Sequence, residues 1–200
     1  MASKKGPGRP RASSAATIHE AALELFLEHG YDAVSVDDIA RRAGVSRGTV
    51  FTYCDSKADA LWVELDAAIG RAVAAIDAGG PDAIDRLVAA LALAVEPWSA
   101  TPPVVLRDAR AMGAEQALRD GAPARLQPLV ERAALSLALE RDALPESADA
   151  AVAPVALVAA ACATLVAWAG TPGRPRASDA LRSTLEPIAA ASRFRNDPRG

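Results

Sequence analysis

Strand signals are missing from this chain, and that absence narrows the fold class before any motif is read. No run alternates apolar and polar residues with β-branched or aromatic enrichment, so the apolar periodicity reads as helix throughout. Cysteine is scarce: Cys54 and Cys162 are the only two in 200 residues, too few for a disulfide framework. That scarcity fits a reducing, cytoplasmic setting. The two histidines, His19 and His29, lie on one predicted helix at a poor spacing for shared metal ligation. No HExxH, GxSxG, P-loop or GxGxxG occurs. Without a site constellation, neither an enzyme nor a catalytic residue, metal or cofactor is expected. Lysine occurs three times against nineteen arginines, which reads as codon bias of a GC-rich genome.

Charge is also nearly balanced, at −3 overall, so the molecule is no polycation. Residues 1–57 hold eight Lys/Arg against seven Asp/Glu, and residues 58–200 hold fourteen against eighteen. The first stretch is therefore weakly positive and the second weakly negative. One uncharged run, Ala150 to Gly173, is long enough to suggest a membrane span. It is mostly alanine and valine, contains Pro154 and stands alone, so a buried helix without a membrane partner is the expectation. The opening MASKKGPGRPRASS is polar and shows no secretory signal.

Residues 35–57, SVDDIARRAGVSRGTVFTYCDSK, carry the most information. Val36, Ile39, Ala40 and Ala43 make one buried stripe, Ser35 with Asp38 resembles a capping box, and Gly44 supplies a left-handed stop. Ser46 caps a second predicted helix reaching about Tyr53. Two helices joined this closely form a helix-turn-helix, whose second helix enters the major groove of DNA. Within that helix Val50 and Cys54 are the apolar i, i+4 pair and should face inward. At roughly 100° per residue, Gly48 and Thr52 then point away, Thr49 lies beside them, and Phe51 and Tyr53 stand on the flanks. Arg47 in the first turn reaches a base edge or a phosphate, and Lys57 just beyond the helix should meet a phosphate. Arg41, Arg42, Arg47 and Lys57 cluster in or beside the two helices. The predicted DNA-binding set is Ser35, Arg42, Ser46, Arg47, Gly48, Thr49, Phe51, Thr52, Tyr53 and Lys57.

Residues 17–61 resemble the N-terminal domain of the TetR family of transcriptional regulators. The likeness runs collinearly from TIHEAALELFLEHGYDAVSVDDIARRAGVSRGTV to SKADAL and includes Phe26, Gly30, Tyr31, GVSRGT and the Ser56-Lys57 pair before Leu61. It departs at two places. Phe51 stands where the family has a phosphate-contacting tyrosine and Cys54 where a large aromatic is favoured, while Tyr53 keeps a position where histidine or tyrosine is usual. The resemblance implies an all-α chain of about nine helices, with a three-helix DNA-binding domain over 14–57 and an effector-binding and dimerisation domain over 58–200. Residues 1–13, with Lys4, Lys5, Arg9 and Arg11 and no acid, read as a disordered basic arm that either follows a minor groove or is simply solvated.

Helices are expected at about 57–77, 82–95, 102–120, 124–143, 147–169 and 178–192, with Gly, Pro or both between them. The heptapeptide PGRPRAS recurs at 7–13 and 172–178, and its second copy should form a loop whose Ser178 caps the last helix. The resemblance implies homodimerisation through the last two helices, where Ala156, Ala159, Ala160 and Ala163 permit close approach and Leu157, Val158 and Leu165 add bulk. It also implies an effector cavity among the middle helices, with Trp98, Arg107, Arg110, Met112, Gln116, Cys162 and Trp168 as candidate lining. With only eight aromatics, an apolar effector is suggested. The expected function is a repressor on a pseudo-palindromic duplex operator, released by a small molecule. An architectural DNA-binding protein without an effector is the rival.

Overall fold

The computed structural model describes residues 11–80 and 82–194, and every regular element among them is helical. Most of the N-terminal arm, with Lys4, Lys5 and Arg9, lies outside the described residues. The first helix, α1 (Arg11–His29), begins earlier than expected, so residues 11–13 are helical. Two compact units follow from the chain's own contacts: one runs through Val63 and recruits Asp108–Leu118, the other holds Glu64–Arg107 and the chain from Arg119. A cut at residue 57 misses both the start of the next helix and the recruited turn.

Within the first unit, α1 buries Ile18, Ala22, Leu25 and Phe26 at helical spacing. Gly30 ends it at φ 85°, and the Tyr31 amide then donates to the Met112 carbonyl at 2.7 Å. Met112 and Ala114 are fully buried, which is why that distant turn belongs to this unit. Helix α2 (Val36–Ala43) and helix α3 (Arg47–Phe51) complete the three-helix arrangement, with α2 packed on both α1 and α3.

The second unit is built around α5 (Ala83–Ala94), whose Ile84, Leu87, Val88 and Leu91 are buried. Against it pack parts of α4 (Asp59–Asp77), α7 (Glu115–Arg141), α8 (Ala148–Ala169) and α9 (Ala177–Phe194). Boundaries expected for α4, α5, α8 and α9 lie within two residues of those observed. The middle differs. Pro102-Pro103 opens only a single turn, α6 (Val104–Arg107), and the chain then runs unbroken from Glu115 to Arg141 across Gly121, Pro123 and Pro128. Both prolines are exposed, so water can satisfy the carbonyls they leave without a partner.

Two further expectations change. Ser178 is not the cap of α9 but lies buried in its first turn, where it hydrogen-bonds Glu96 and helps hold that carboxyl below its usual range. In the same heptapeptide, Arg174 caps the preceding helix, donating to the Trp168 and Ala169 carbonyls at 3.1 and 3.0 Å. Helix α8 is also not buried all round. Leu157, Val158 and Ala161 face the core, while Val152, Val155, Ala156, Ala159, Ala163 and Val166 are exposed. Among the described residues it is the one helix long and apolar enough to cross a membrane, yet its inner face packs on α5, α6 and α9.

Candidate nucleic-acid interface

Helix α3 is set by caps at both ends of the three-residue turn that precedes it. Ser35 Oγ accepts from the Asp38 amide at 3.2 Å, while Asp38 Oδ2 accepts from the Ser35 amide at 3.0 Å and from its hydroxyl at 2.5 Å. These bonds, with Arg41 at 2.9 Å, hold the Asp38 carboxyl down at about 2. Gly44 turns at φ 66°, which an L side chain rarely adopts, and its chain leads directly to Ser46. Ser46 Oγ accepts from the Thr49 amide at 3.1 Å and meets Thr49 Oγ1 at 2.8 Å.

That placement orients α3 as its own sequence requires. Val50 is 2% exposed and Cys54 is buried, whereas Gly48 and Thr52 are exposed and Thr49 is half-exposed. A Cβ added at Gly48 would meet only Ser46 Oγ at 3.8 Å, so the surface over this helix is open. Thr52 Oγ1 donates to the Gly48 carbonyl at 3.0 Å, which presents its methyl and its lone pairs outward. Phe51 is exposed and Tyr53 half-buried. The helix is shorter than expected, closing at Phe51 with Thr52 as its cap.

Residues 18–61 match the family model described as bacterial regulatory proteins, tetR family. Those residues resemble the DNA-binding part of tetR-family regulators. Among curated proteins, the chain is 49% identical over 55 residues to the mycofactocin biosynthesis transcriptional regulator MftR of Mycobacterium tuberculosis. That stretch is 28% of this chain and 28% of MftR, so the sequence likeness covers under a third of either. Solved structures extend the likeness in fold. A transcriptional regulator from Pseudomonas aeruginosa PAO1 matches with a TM-score of 0.61 at 20% identity, covering 95% of this chain and 97% of its own. FadR from Bacillus subtilis, solved with stearoyl-CoA, matches with a TM-score of 0.61 at 19% identity, covering 88% and 97%.

Several of the predicted contact residues have other partners within the first unit. Lys57 Nζ donates to the Tyr31, Val34 and Asp32 carbonyls at 2.8, 3.1 and 3.4 Å and lies 4.2 Å from the Tyr31 ring centre. An ammonium has three protons and here each has a carbonyl partner, so Lys57 staples the α1–α2 connection. Arg42 is likewise turned away: it donates to Glu24 at 3.1 Å and to both oxygens of Glu28 at 3.0 and 2.5 Å, tying α2 to α1. The guanidinium in turn holds the Glu28 carboxyl below its usual range. Ser35 and Ser46 act as caps. Gly48, Thr49 and Thr52, with Arg47 and Phe51 on one flank, are what the domain brings together on its open face.

Sequence reasoning missed Asp37 and left Arg41, one of its basic cluster, out of the predicted contact set. Asp37 receives Arg47 Nη1 at 2.8 Å across the turn, a pairing of residues ten apart that no helical periodicity encodes. Arg41 is the most open cation of α2, its side chain 76% exposed with Asp38 as its partner.

The predicted effector residues divide between the two units. Trp98 and Trp168 are buried in the core of the second unit, and the Trp168 indole donates to the Pro175 carbonyl at 2.9 Å. Cys162 packs against that core, and burial pushes its thiol up. Arg107 is exposed at the end of α6, while Arg110, Met112 and Gln116 belong to the first unit. Met112 is core there, through its side chain and its carbonyl bond to Tyr31.

Proposed function

We propose that this chain is a cytoplasmic, homodimeric transcriptional repressor that reads a pseudo-palindromic operator with α3 and is released by a small apolar effector. The carrying observation is the division of residues 47–54: Val50 and Cys54 buried, Gly48 and Thr52 exposed and Thr49 half-exposed beside them. Small groups and hydroxyls on a capped helix suit close approach to base edges. Arg41, in a solvent-screened pair worth little by itself, is available to a phosphate.

One such domain makes few base contacts, so specificity calls for two copies about one helical turn apart. The bare alanine and valine face of α8 supports a two-fold contact there, beside the exposed Ser183, Thr184, Pro187 and Ala191 of α9. The bulk on that face is Val152, Val155 and Val166, because Leu157 and Val158 are inside their own protomer. Effector release then works by linkage: a ligand that favours a dimer geometry mismatched to the operator lowers affinity. A coupling of about 1–3 kcal/mol weakens binding by roughly 5–150-fold. Chain continuity supports such coupling, since α7 starts in the first unit beside Met112 and continues into the second.

Selection of duplexes from a random library on the full-length protein tests the reading. An inverted repeat is expected, followed by its release when a ligand with a long apolar chain is added; stearoyl-CoA, carried by the FadR structure, and free stearate are the first probes. Retention of no duplex at low salt would refute DNA binding.

A further inference from the structure

Arg47 opens α3 and is held from two sides. Its Nη1 donates to Asp37 Oδ2 at 2.8 Å, and its guanidinium carbon lies 5.4 Å from the centre of the Phe51 ring. Asp37 stands in the first turn of α2, and Phe51 one helical turn after Arg47. Since Val50 faces inward, ~100° per residue puts Arg47 and Phe51 on one flank of the helix and Thr49 and Tyr53 on the other.

All three side chains are exposed, Phe51 at 42%. An exposed ion pair adds little to stability, and a phenyl ring left open at the surface adds none. What the arrangement does is restrict a long side chain to one direction. The guanidinium has five N–H donors, so a single carboxylate contact leaves an edge for another partner.

We propose that Asp37 and Phe51 are positioning residues that aim the Arg47 guanidinium at a guanine edge, making Arg47 a specific base reader of each half-site.

The inference rests on the DNA-binding reading above and narrows it. A phosphate approaching Arg47 meets the Asp37 carboxylate as well, so repulsion offsets much of the attraction. Guanine O6 and N7 are neutral acceptors spaced for two guanidinium donors, and a neutralised pair approaches them without that repulsion. The Phe51 ring has no hydroxyl to offer a phosphate. It serves instead as a flat surface beside the planar guanidinium.

The test uses full-length wild type with Arg47→Ala, Asp37→Asn and Phe51→Leu, each at an exposed position and each checked for an unchanged cooperative melt. Duplexes are selected by wild type, then affinities are measured for operators altered one base at a time and for unrelated duplex, at two salt concentrations. Arg47→Ala should flatten guanine preference at one position per half-site by roughly 5–150-fold, the range of a bidentate arginine–guanine pair. Asp37→Asn should flatten the same position by at least about fivefold. It should also tighten binding to unrelated duplex and steepen the salt dependence by about one phosphate contact. Phe51→Leu should weaken the same preference.

Unchanged base preference in Arg47→Ala, or a uniform gain by Asp37→Asn with preference intact, would make Arg47 a phosphate contact and overturn the proposal. If Phe51→Leu leaves the preference whole, the ring has no part in it. Failure of wild type to retain any duplex is seen before the variants are compared, and it counts against DNA binding itself.

Discussion

Lys57 shows how one side chain can change its meaning once neighbours are known. In the sequence it is a cation just past a reading helix; in the fold its ammonium gathers three carbonyls from the α1–α2 connection. Hydrogen bonds to a charged group contribute about 1.5–3 kcal/mol each when isolated, and less when shared by one donor. Lys57→Met should therefore lower the stability of the full-length protein by about 2–3 kcal/mol, read by urea denaturation. The salt dependence of DNA binding by the remaining folded fraction should stay as in wild type. A flatter salt dependence with unchanged stability would restore the phosphate contact. Arg42 follows the same logic, because two carboxylates of α1 already surround it.

At the scale of the element, α2 depends on its first turn. The Asp38 carboxyl is held at about 2 first by the Ser35 hydroxyl, then by the Ser35 amide and Arg41. A depressed carboxyl stabilises the fold above its unfolded value of 3.8, and that contribution fades as pH falls through the folded value near 2. Carboxyl NMR should find Asp38 still ionised at pH 3, with its midpoint near 2. Ser35→Ala should move the midpoint up towards 3.8 and cost about 1 kcal/mol through loss of the cap. A midpoint unmoved by Ser35→Ala would contradict the capping geometry. The length of α7 belongs to this scale too. Gly121, Pro123 and Pro128 read as a break, but exposed prolines on a helix anchored by Leu129, Ala133 and Leu137 only bend it.

For the whole molecule, the open face of α8 matters most. Val155 is 52% exposed and Ala159 lies on the same stripe, with no charge along it. Ala159→Arg should leave the helical content intact, because the side chain points away from the protomer's core, and should yield a monomer by sedimentation or light scattering. Operator affinity should fall with it, since joining two half-site contacts is worth about 10²–10⁴-fold. A variant that stays dimeric with full affinity would place the two-fold contact elsewhere.

Local rules were enough to read α2, α4, α5, α8 and α9, the capping box at Ser35, the left-handed Gly44 and the inward pair Val50 and Cys54, because each depends on residues within about one turn of one another. They were also enough for the likeness over 17–61, which the match at 18–61 supports. Tertiary structure alone decided which cations are available, since Lys57, Arg42 and Arg47 are engaged by groups ten to twenty-six positions away. It alone drew the turn around Met112 into the first unit and sent Trp98 and Trp168 to the core, because sequence periodicity shows that a face is buried but not what it is buried against.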